Sequence, residues 1–242
     1  MRRHEDAFGQ GLCEQYRGED TAYVIERDDG YVDLDGMAHY FDGPDTWAQD
    51  ERRALREVRG RVLDIGAGAG RIALELQRRG HRVTTIDNSP LAVGVCRLRG
   101  VRDARVLPLE RVCRLRGRYD TVVMFGNNFG LLGGLRAGRK HLRALARITS
   151  PDGRIVAQTM DPYDTDRPEH LAYHRRNRRQ GRLGGQIRMR LRHRGLCTPW
   201  FDYLFVSRTE LVRLVSGSAW RLVKTIDGSR PQYFVVLEKA RA

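Results

Sequence analysis

The sequence lacks the features that would place the protein in or across a membrane. It has no run of roughly 18 consecutive apolar residues, the length that a membrane-spanning helix requires. The first residues, MRRHEDAFGQG, lack the apolar core of a secretory signal peptide. We therefore expect a cytoplasmic protein without a membrane partner.

Cysteine is also scarce, and its spacing excludes the common cysteine-based sites. Cys13, Cys96, Cys113 and Cys197 are scattered, and no pair has the CxxC spacing of zinc or redox motifs. Free, reduced cysteines agree with a cytoplasmic location. No other group of residues resembles a metal site, so we expect no metal.

Lysine is nearly absent, although the chain is strongly basic. The formal net charge is +14, yet lysine occurs only as Lys140, Lys224 and Lys239, and the other cations are arginines. A basic balance can indicate a nucleic-acid partner. The arginines are spread along the whole chain, however, so we interpret them as part of a solvated surface. The alternative is that the basic segment 174–194 binds a polyanion.

The most informative stretch is Arg61–Pro90, which follows the order strand, glycine turn, helix, strand, acid. Its first apolar run predicts a buried strand. Gly66, Gly68 and Gly70 permit positive φ and a close approach of the backbone to a ligand. Asp87 ends the second strand, where an acid in an open α/β sheet can bind ribose hydroxyls.

Two details select the ligand of this stretch. The dinucleotide pattern GxGxxG is incomplete, because Arg71 stands where the last glycine belongs. Asp64 instead precedes the glycines and gives DxGxGxG, which resembles motif I of the class I S-adenosylmethionine-dependent methyltransferases. The alternative is an α/β domain that binds another nucleotide.

The resemblance implies an α/β fold: a doubly wound, mostly parallel, seven-stranded Rossmann-like sheet with an N-terminal arm and a β-hairpin insertion. We expect an arm or cap at 1–59, a donor-binding core at 60–163, an inserted helix and hairpin lid at 164–207, and the rest of the sheet at 208–242. Within the arm, Asp29-Gly30 predicts a hairpin turn. Thr46 is expected to cap a helix from about Trp47 to Arg59.

The resemblance also implies which residues hold S-adenosylmethionine. The glycine loop lies under the amino-acid part of the donor, and Asp87 binds the ribose. Residues that follow the fourth predicted strand, Tyr119–Phe125, contact the methionine part. The implied donor-binding residues are Asp64, Gly66, Ala67, Gly68, Gly70, Asp87, Asn88, Ser89, Phe125, Gly126 and Asn127. Pro108 and Leu109 occupy the usual place of an adenine-binding acid, so no adenine contact is assigned.

The acceptor is expected to bind at the carboxyl ends of the fourth and fifth predicted strands, Tyr119–Phe125 and Arg154–Met160. Asn128, Asp161 and Tyr163 follow these strands and are the expected catalytic residues, although asparagines are also ordinary turn residues. The triplet Asp161-Pro-Tyr163 resembles the DPPY-type signature of amino-group methyltransferases, but it follows the wrong strand and is treated as coincidental.

Aromatic residues outside the core are the expected lining of the acceptor pocket. They are Tyr40 and Phe41 of the arm and Tyr173 of the insertion, which could equally pack these segments onto the core. The candidates for a general base are His39, His170 and His174. Each of these histidines is also compatible with a purely structural role.

These observations favour methyl transfer to N or O of a small-molecule acceptor by direct in-line displacement. Such a reaction mainly requires two reactants held in line in a dry site. The alternatives are an RNA methyltransferase that uses segment 174–194, and a non-catalytic protein that only binds the donor. The sequence does not define the oligomeric state.

Overall fold

The computed structural model describes residues 1–240, which form an α/β fold. The α-helices are α1 (Ala7–Tyr16), α2 (Gln49–Leu55), α3 (Arg71–Arg78), α4 (Pro90–Leu98), α5 (Leu135–Ile148), α6 (Pro168–Arg179) and α7 (Arg208–Val215). The strands are β1 (Ala22–Arg27), β2 (Val32–Gly36), β3 (Arg61–Ile65), β4 (Arg82–Asp87), β5 (Ala104–Val106), β6 (Tyr119–Met124), β7 (Thr149–Met160), β8 (Gln186–His193), β9 (Leu196–Cys197), β10 (Phe201–Leu204), β11 (Trp220–Asp227) and β12 (Gln232–Lys239). Short 3-10 segments cover Arg3–Glu5, Ala38–Phe41, Leu109–Arg114 and Asn128–Leu132.

The larger sheet has seven strands in the order β11-β12-β7-β6-β3-β4-β5. β4 and β5 are parallel, as are β6 and β7, whereas β12 is antiparallel to both β7 and β11. The interior residues Val122, Val123 and Val156 are fully buried, as expected for parallel strands that are covered on both faces. The predicted doubly wound sheet with an antiparallel end is confirmed.

The smaller sheet contains strands of the arm and of the insertion, in the order β10-β8-β1-β2. β1 and β2 form the predicted hairpin around Gly30, whose φ is 90°. The inserted hairpin is also present, with a return strand that is divided into β9 and β10. Pro199 lies between them and has no N–H to continue the ladder.

The contacts between residues define two compact units. The first contains Met1–Trp47, Leu63–Leu109 and Arg188–Phe201. The second contains Ala48–Val62, Glu110–Ile187 and the chain from Asp202 onward. The proposed roles of the four sequence segments stay predictions.

Several helix boundaries agree with the sequence pattern, and one differs. The sequence pattern predicts helices at Pro168–Arg179 and Arg208–Val215, and Ser207 followed three residues later by Glu210 predicts a capping box. α6 and α7 have these bounds, and Ser207 and Glu210 form the capping box of α7. The helix expected from Trp47 to Arg59 is shorter, because α2 covers only Gln49–Leu55. The expected cap is wrong, since the Thr46 hydroxyl donates to the Gly43 carbonyl oxygen at 2.9 Å within a turn.

Ser150-Pro-Asp-Gly153 has the composition of a turn, which predicts that the strand begins only at Arg154. In the structure these residues are instead part of β7, where its pairing with β6 shifts in register between Tyr119 and Thr121. Extra residues on one strand can be accommodated as a bulge without ending the strand. The carboxyl end of β7 therefore still lies at Met160, as predicted.

Candidate functional site

The loop after β3 depends on three glycines in the first compact unit. Their φ values are 79° at Gly66, 52° at Gly68 and 81° at Gly70, which L-residues with a side chain rarely adopt. A Cβ atom at Gly70 would lie 2.8 Å from a methyl carbon of Val101 and 3.1 Å from the sulfur of Cys96. The backbone path and the packing below it therefore both require glycine.

Asp87 ends β4, and the backbone around it holds its carboxylate. Oδ2 accepts a hydrogen bond from the Gly68 N–H at 3.2 Å, and Oδ1 accepts one from the Ser89 N–H at 2.9 Å. Burial raises the pKa of Asp87 to about 6, although these hydrogen bonds oppose the shift. The carboxylate thus lies beside the glycine loop at the carboxyl end of a strand, where nucleosides bind in open α/β sheets.

Asp64 is buried, and its carboxylate is directed toward β4. Its Oδ2 atom accepts a hydrogen bond from the Thr85 hydroxyl at 2.9 Å. Burial, with a smaller contribution from the negative charge of Asp87, raises the pKa of Asp64 to about 7, although the hydrogen bond from Thr85 opposes the shift. This hydrogen bond joins the ends of β3 and β4 next to the glycine loop, and the carboxylate that was expected to bind the donor is occupied within the protein.

Aromatic residues of the arm pack on the glycine loop. A Cβ atom at Gly68 would lie 3.2 Å from the ring of Tyr40. The Tyr40 and Tyr23 hydroxyls are 3.0 Å apart, and the Tyr23 hydroxyl donates to Asp35 at 2.8 Å. The edge of the Phe8 ring packs on Tyr40, with a centroid distance of 5.1 Å. Tyr40, which was expected in the acceptor pocket, thus contacts the predicted donor loop.

Arg99 joins this loop to the arm. Its guanidinium donates to the carbonyl oxygen of Ala69 at 2.7 Å and, more weakly, to those of Tyr40 and Phe41 at 3.4 Å. The guanidinium also lies over the Phe41 ring, 4.8 Å from its centroid. Phe41 therefore anchors the arm to α4, a role that no local sequence pattern indicated.

Asp6 is a second residue that sequence reasoning missed. Its carboxylate is fully buried, and Oδ1 accepts a hydrogen bond from the Gly9 N–H at 3.0 Å. Oδ2 accepts from the Ser89 hydroxyl at 2.9 Å and from the Leu91 N–H at 3.1 Å. An aspartate directly before an amphipathic helix is a recognisable N-cap signal, but the second contact depends on tertiary structure.

The segment after β6 belongs to the second compact unit. Gly126 and Asn127 both have positive φ, and their N–H groups donate to Gln158 Oε1 at 2.8 Å and 3.3 Å. The Asn127 carbonyl oxygen accepts from the Tyr203 hydroxyl at 2.6 Å. The Asn127 Oδ1 atom is buried and has no hydrogen-bond partner among residues 1–240. Because buried acceptors are normally paired, this oxygen is a candidate acceptor for a ligand N–H.

The predicted acceptor residues after β7 make hydrogen bonds within the protein. The Tyr163 hydroxyl donates to Glu210 at 2.5 Å, and its N–H donates to the Asp161 carboxylate at 2.9 Å. Burial raises the pKa of Tyr163 to about 12. A role of Tyr163 toward an acceptor would require this hydroxyl to leave Glu210.

The predicted pocket aromatic of the insertion and two of the candidate bases pack against other side chains. Tyr173 is buried within α6, with the Arg176 guanidinium 4.4 Å from its ring centroid. His174 is buried and packs against the Tyr163 ring, whereas His39 packs against Tyr40. Tyr173 is thus a packing residue of the insertion, and none of these contacts identifies a general base.

Within residues 1–240, no group of three or more His, Cys, Asp or Glu side chains could hold a metal ion. Over the same residues, no helix combines the length and the apolar character needed to cross a bilayer.

A family model and a curated protein match parts of this chain. A family model described as "Methyltransferase domain" matches residues 39–223. Ubiquinone biosynthesis O-methyltransferase of Xanthomonas oryzae pv. oryzae is 32% identical over 107 residues, which are 42% of this chain and 43% of that protein. The chain therefore spans less than half the length of this curated relative.

Solved structures extend the similarity to the whole fold. A SAM-dependent methyltransferase from Bacteroides fragilis, in complex with S-adenosyl-L-homocysteine, has a TM-score of 0.84 and 26% identity, covering 100% of this chain and 98% of that chain. The 1,6-didemethyltoxoflavin-N1-methyltransferase of Burkholderia thailandensis has a TM-score of 0.51 and 22% identity, covering 84% and 85% of the two chains. The second similarity shows the fold alone.

Proposed function

The chain belongs to the methyltransferase-domain family, and from that premise we propose that it transfers the methyl group of S-adenosylmethionine to N or O of a small molecule. The observation that carries the proposal is the glycine loop with its three positive φ values beside the Asp87 carboxylate. An acid at this position accepts ribose hydroxyls in nucleotide-binding α/β sheets.

The residues around this loop fit S-adenosylmethionine, which supplies a methyl group bound to a sulfonium ion. The backbone of Gly66–Gly70 can approach the donor closely because no Cβ atoms intervene at Gly66, Gly68 and Gly70. The face of the Tyr40 ring, which packs at Gly68, suits a neighbouring positive charge. Asp64 contributes indirectly, through the hydrogen bond from Thr85 that joins β3 to β4.

The other donor assignments follow from the family resemblance. Asn88 and Ser89 lie next to the ribose acid, and the Ser89 hydroxyl already donates to Asp6, so Ser89 contributes through its backbone. Ala67, Phe125, Gly126 and Asn127 stay predicted donor residues. The unpaired Oδ1 atom of Asn127 supports a contact with a ligand N–H such as an ammonium group.

The acceptor is the least defined part of the proposal. Asn128 and Asp161 remain the proposed acceptor-side residues, and Tyr163 joins them only if its hydroxyl leaves Glu210. A general base is required only for an acceptor that must lose a proton. The inserted hairpin is proposed as the lid that excludes water, and a reduced cytoplasmic compartment stays a prediction.

Charge pairing supports a small-molecule acceptor over RNA. Arg188, Arg190 and Arg192 alternate along β8 and form an arginine stripe. Arg190 and Arg192 donate to the Glu26 carboxylate, at 2.8 Å and 3.3 Å. The hydrogen bond from Arg190 is the main cause that lowers the pKa of Glu26. A partly neutralised stripe attracts phosphates less strongly than a free one.

Calorimetry with S-adenosylmethionine and S-adenosylhomocysteine tests the proposed donor. We expect binding by the wild-type protein and a loss of roughly tenfold or more in affinity for Asp87→Ala, because each lost hydrogen bond to a charged group is worth about 1.5–3 kcal/mol. A screen of amine, phenol and carboxylate acceptors with a donor labelled in its methyl group tests turnover. Donor binding without transfer to any acceptor would favour the non-catalytic alternative, and no donor binding would refute the proposal.

A further inference from the structure

The start of α1 is packed tightly against the start of α4. A Cβ atom at Gly9 would lie 2.3 Å from the Ser89 hydroxyl oxygen and 2.7 Å from the Leu91 Cβ atom. No side chain fits between the two helices at this point, so glycine is needed although Gly9 lies in a helix. The packing brings the first residues of the arm next to the turn that follows β4.

Asp6 uses this proximity to cap both helices. Its Oδ1 atom accepts the Gly9 N–H of α1, and its Oδ2 atom accepts the Leu91 N–H of α4. Ser89 is the N-cap residue of α4, where its hydroxyl oxygen accepts the Ala92 N–H at 2.9 Å while donating to Asp6. One buried carboxylate therefore fixes the conformation of the turn 88–91.

The same turn holds the proposed ribose acid. The Ser89 N–H donates to Asp87 Oδ1 at 2.9 Å, so the residue whose hydroxyl binds Asp6 is also the residue whose N–H orients Asp87. We propose that Asp6 is a positioning residue for the donor ribose, which acts on Asp87 through Ser89. This inference rests on the proposed function.

The link between Asp6 and Asp87 should be measurable through the pKa of Asp87. Burial raises the pKa of Asp87, the Ser89 and Gly68 N–H groups lower it, and the negative charge of Asp6 raises it. Asp64 on β3, Tyr40 in the arm and Cys96 on α4 also interact electrostatically with Asp87, and Arg71 at the start of α3 interacts with Asp64 and Tyr40. Removing the charge of Asp6 should therefore lower the pKa of Asp87 while the other groups remain.

The test measures the affinity for S-adenosylhomocysteine by calorimetry between pH 5 and 8, in wild type, Asp6→Asn, Ser89→Ala and Asp33→Asn. Affinity should fall as pH decreases through the pKa of Asp87, because the protonated acid loses an acceptor for the ribose hydroxyls. Asp6→Asn removes the charge. With its amide oxygen toward turn 88–91 it still accepts from Ser89 and Leu91 and loses only the Gly9 N–H, so the midpoint of this fall should move to lower pH. Ser89→Ala keeps the charge and removes the link, so the affinity should drop about tenfold at pH 8, as expected for a lost buried hydrogen bond.

Asp33→Asn is the matched control, since it removes an exposed carboxylate of the arm that has no contact with turn 88–91 among the described residues. We expect it to leave both the midpoint and the affinity unchanged. Thermal melting without ligand shows whether each variant is folded. A midpoint in Asp6→Asn equal to that of the wild type, or an unchanged affinity in Ser89→Ala, would overturn the inference while leaving the proposed function intact. No binding by the wild type would instead refute the proposed function itself.

Discussion

The Nε2 atom of His193 lies 2.7 Å from a carboxylate oxygen of Glu14, and both side chains are buried. The other ring nitrogen of His193 lies 2.8 Å from the carbonyl oxygen of Ala22. His193 ends β8 of the insertion, whereas Glu14 and Ala22 belong to α1 and β1 of the arm. One side chain therefore ties the insertion to two elements that lie more than a hundred residues earlier in the chain.

Replacing Glu14 by alanine should destabilise the protein. The change leaves a buried imidazole nitrogen of His193 without its hydrogen-bond partner, and an unsatisfied buried polar group typically costs about 1–3 kcal/mol. Denaturant unfolding should show this loss in Glu14→Ala. Glu19→Ala is the control, because the exposed pair of Glu19 with Arg194 should contribute about 1 kcal/mol or less. Equal stability of the two variants would contradict the buried role of Glu14.

Gly70→Ala and Gly80→Ala separate backbone strain from steric contact. Both glycines have positive φ, 81° and 86°, but only Gly70 has atoms closer than 4 Å to an added Cβ. Gly80→Ala should thus lower the free energy of unfolding by about 1–2 kcal/mol, because a residue with a Cβ atom is strained in the left-handed conformation. Gly70→Ala should cost about 1–3 kcal/mol more, because the new methyl group would overlap Val101. Chemical denaturation gives both values, and equal losses would contradict the close packing below the loop.

Asp64 should make the protein less stable as the pH rises. A carboxyl group with a raised pKa binds its proton more tightly in the folded state. Its stabilising contribution is therefore complete below the unfolded pKa of about 3.9 and is lost as the pH rises through about 7. The difference in unfolding free energy between the wild type and Asp64→Asn should shift in favour of the variant over this range. A difference that is independent of pH would show that Asp64 ionises normally in the fold.

Tyr40 should affect donor binding through its ring rather than its hydroxyl. The ring packs at Gly68, whereas the hydroxyl contacts only Tyr23 among the hydrogen bonds of the described residues. Tyr40→Ala should weaken S-adenosylhomocysteine binding about two- to tenfold, because an aromatic contact is worth about 0.5–1.5 kcal/mol. Tyr40→Phe should bind almost as tightly as the wild type. If both variants lost affinity equally, the hydroxyl rather than the ring would be the donor contact.

The sequence predicted the elements that are specified by local patterns. The glycines and Asp87 are recognisable because their spacing follows the strand-turn-helix path of one βαβ unit, and Ser207 with Glu210 forms a cap within one helical turn. Core strands such as Tyr119–Met124 are recognisable from a continuous apolar run. These features require only neighbours in the sequence.

The contacts that the sequence did not predict join distant segments. Three contacts form only in the folded chain. They are the strand pairing of Val24 with Arg192, the hydrogen bond from Arg99 to Ala69 and the hydrogen bond from Ser89 to Asp6. A residue type at one position gives no information about a partner so far along the chain. Tyr40 was therefore recognised as a candidate pocket aromatic, but its contact with the donor loop was not foreseen.

The arginine stripe of β8 gives a final test of the acceptor class. Glu26 binds Arg190 and Arg192, so the wild-type protein should bind RNA only weakly at physiological salt. Glu26→Gln removes the neutralising carboxylate and should increase both RNA affinity and its salt dependence, because each phosphate contact adds about 0.7 to the slope of log K against log salt for a single strand. Glu169→Gln, in the insertion but on α6, is a control of equal charge. Micromolar binding of RNA by the wild type with a steep salt slope would instead support the RNA methyltransferase alternative, since phosphates would then compete successfully with Glu26 for these arginines.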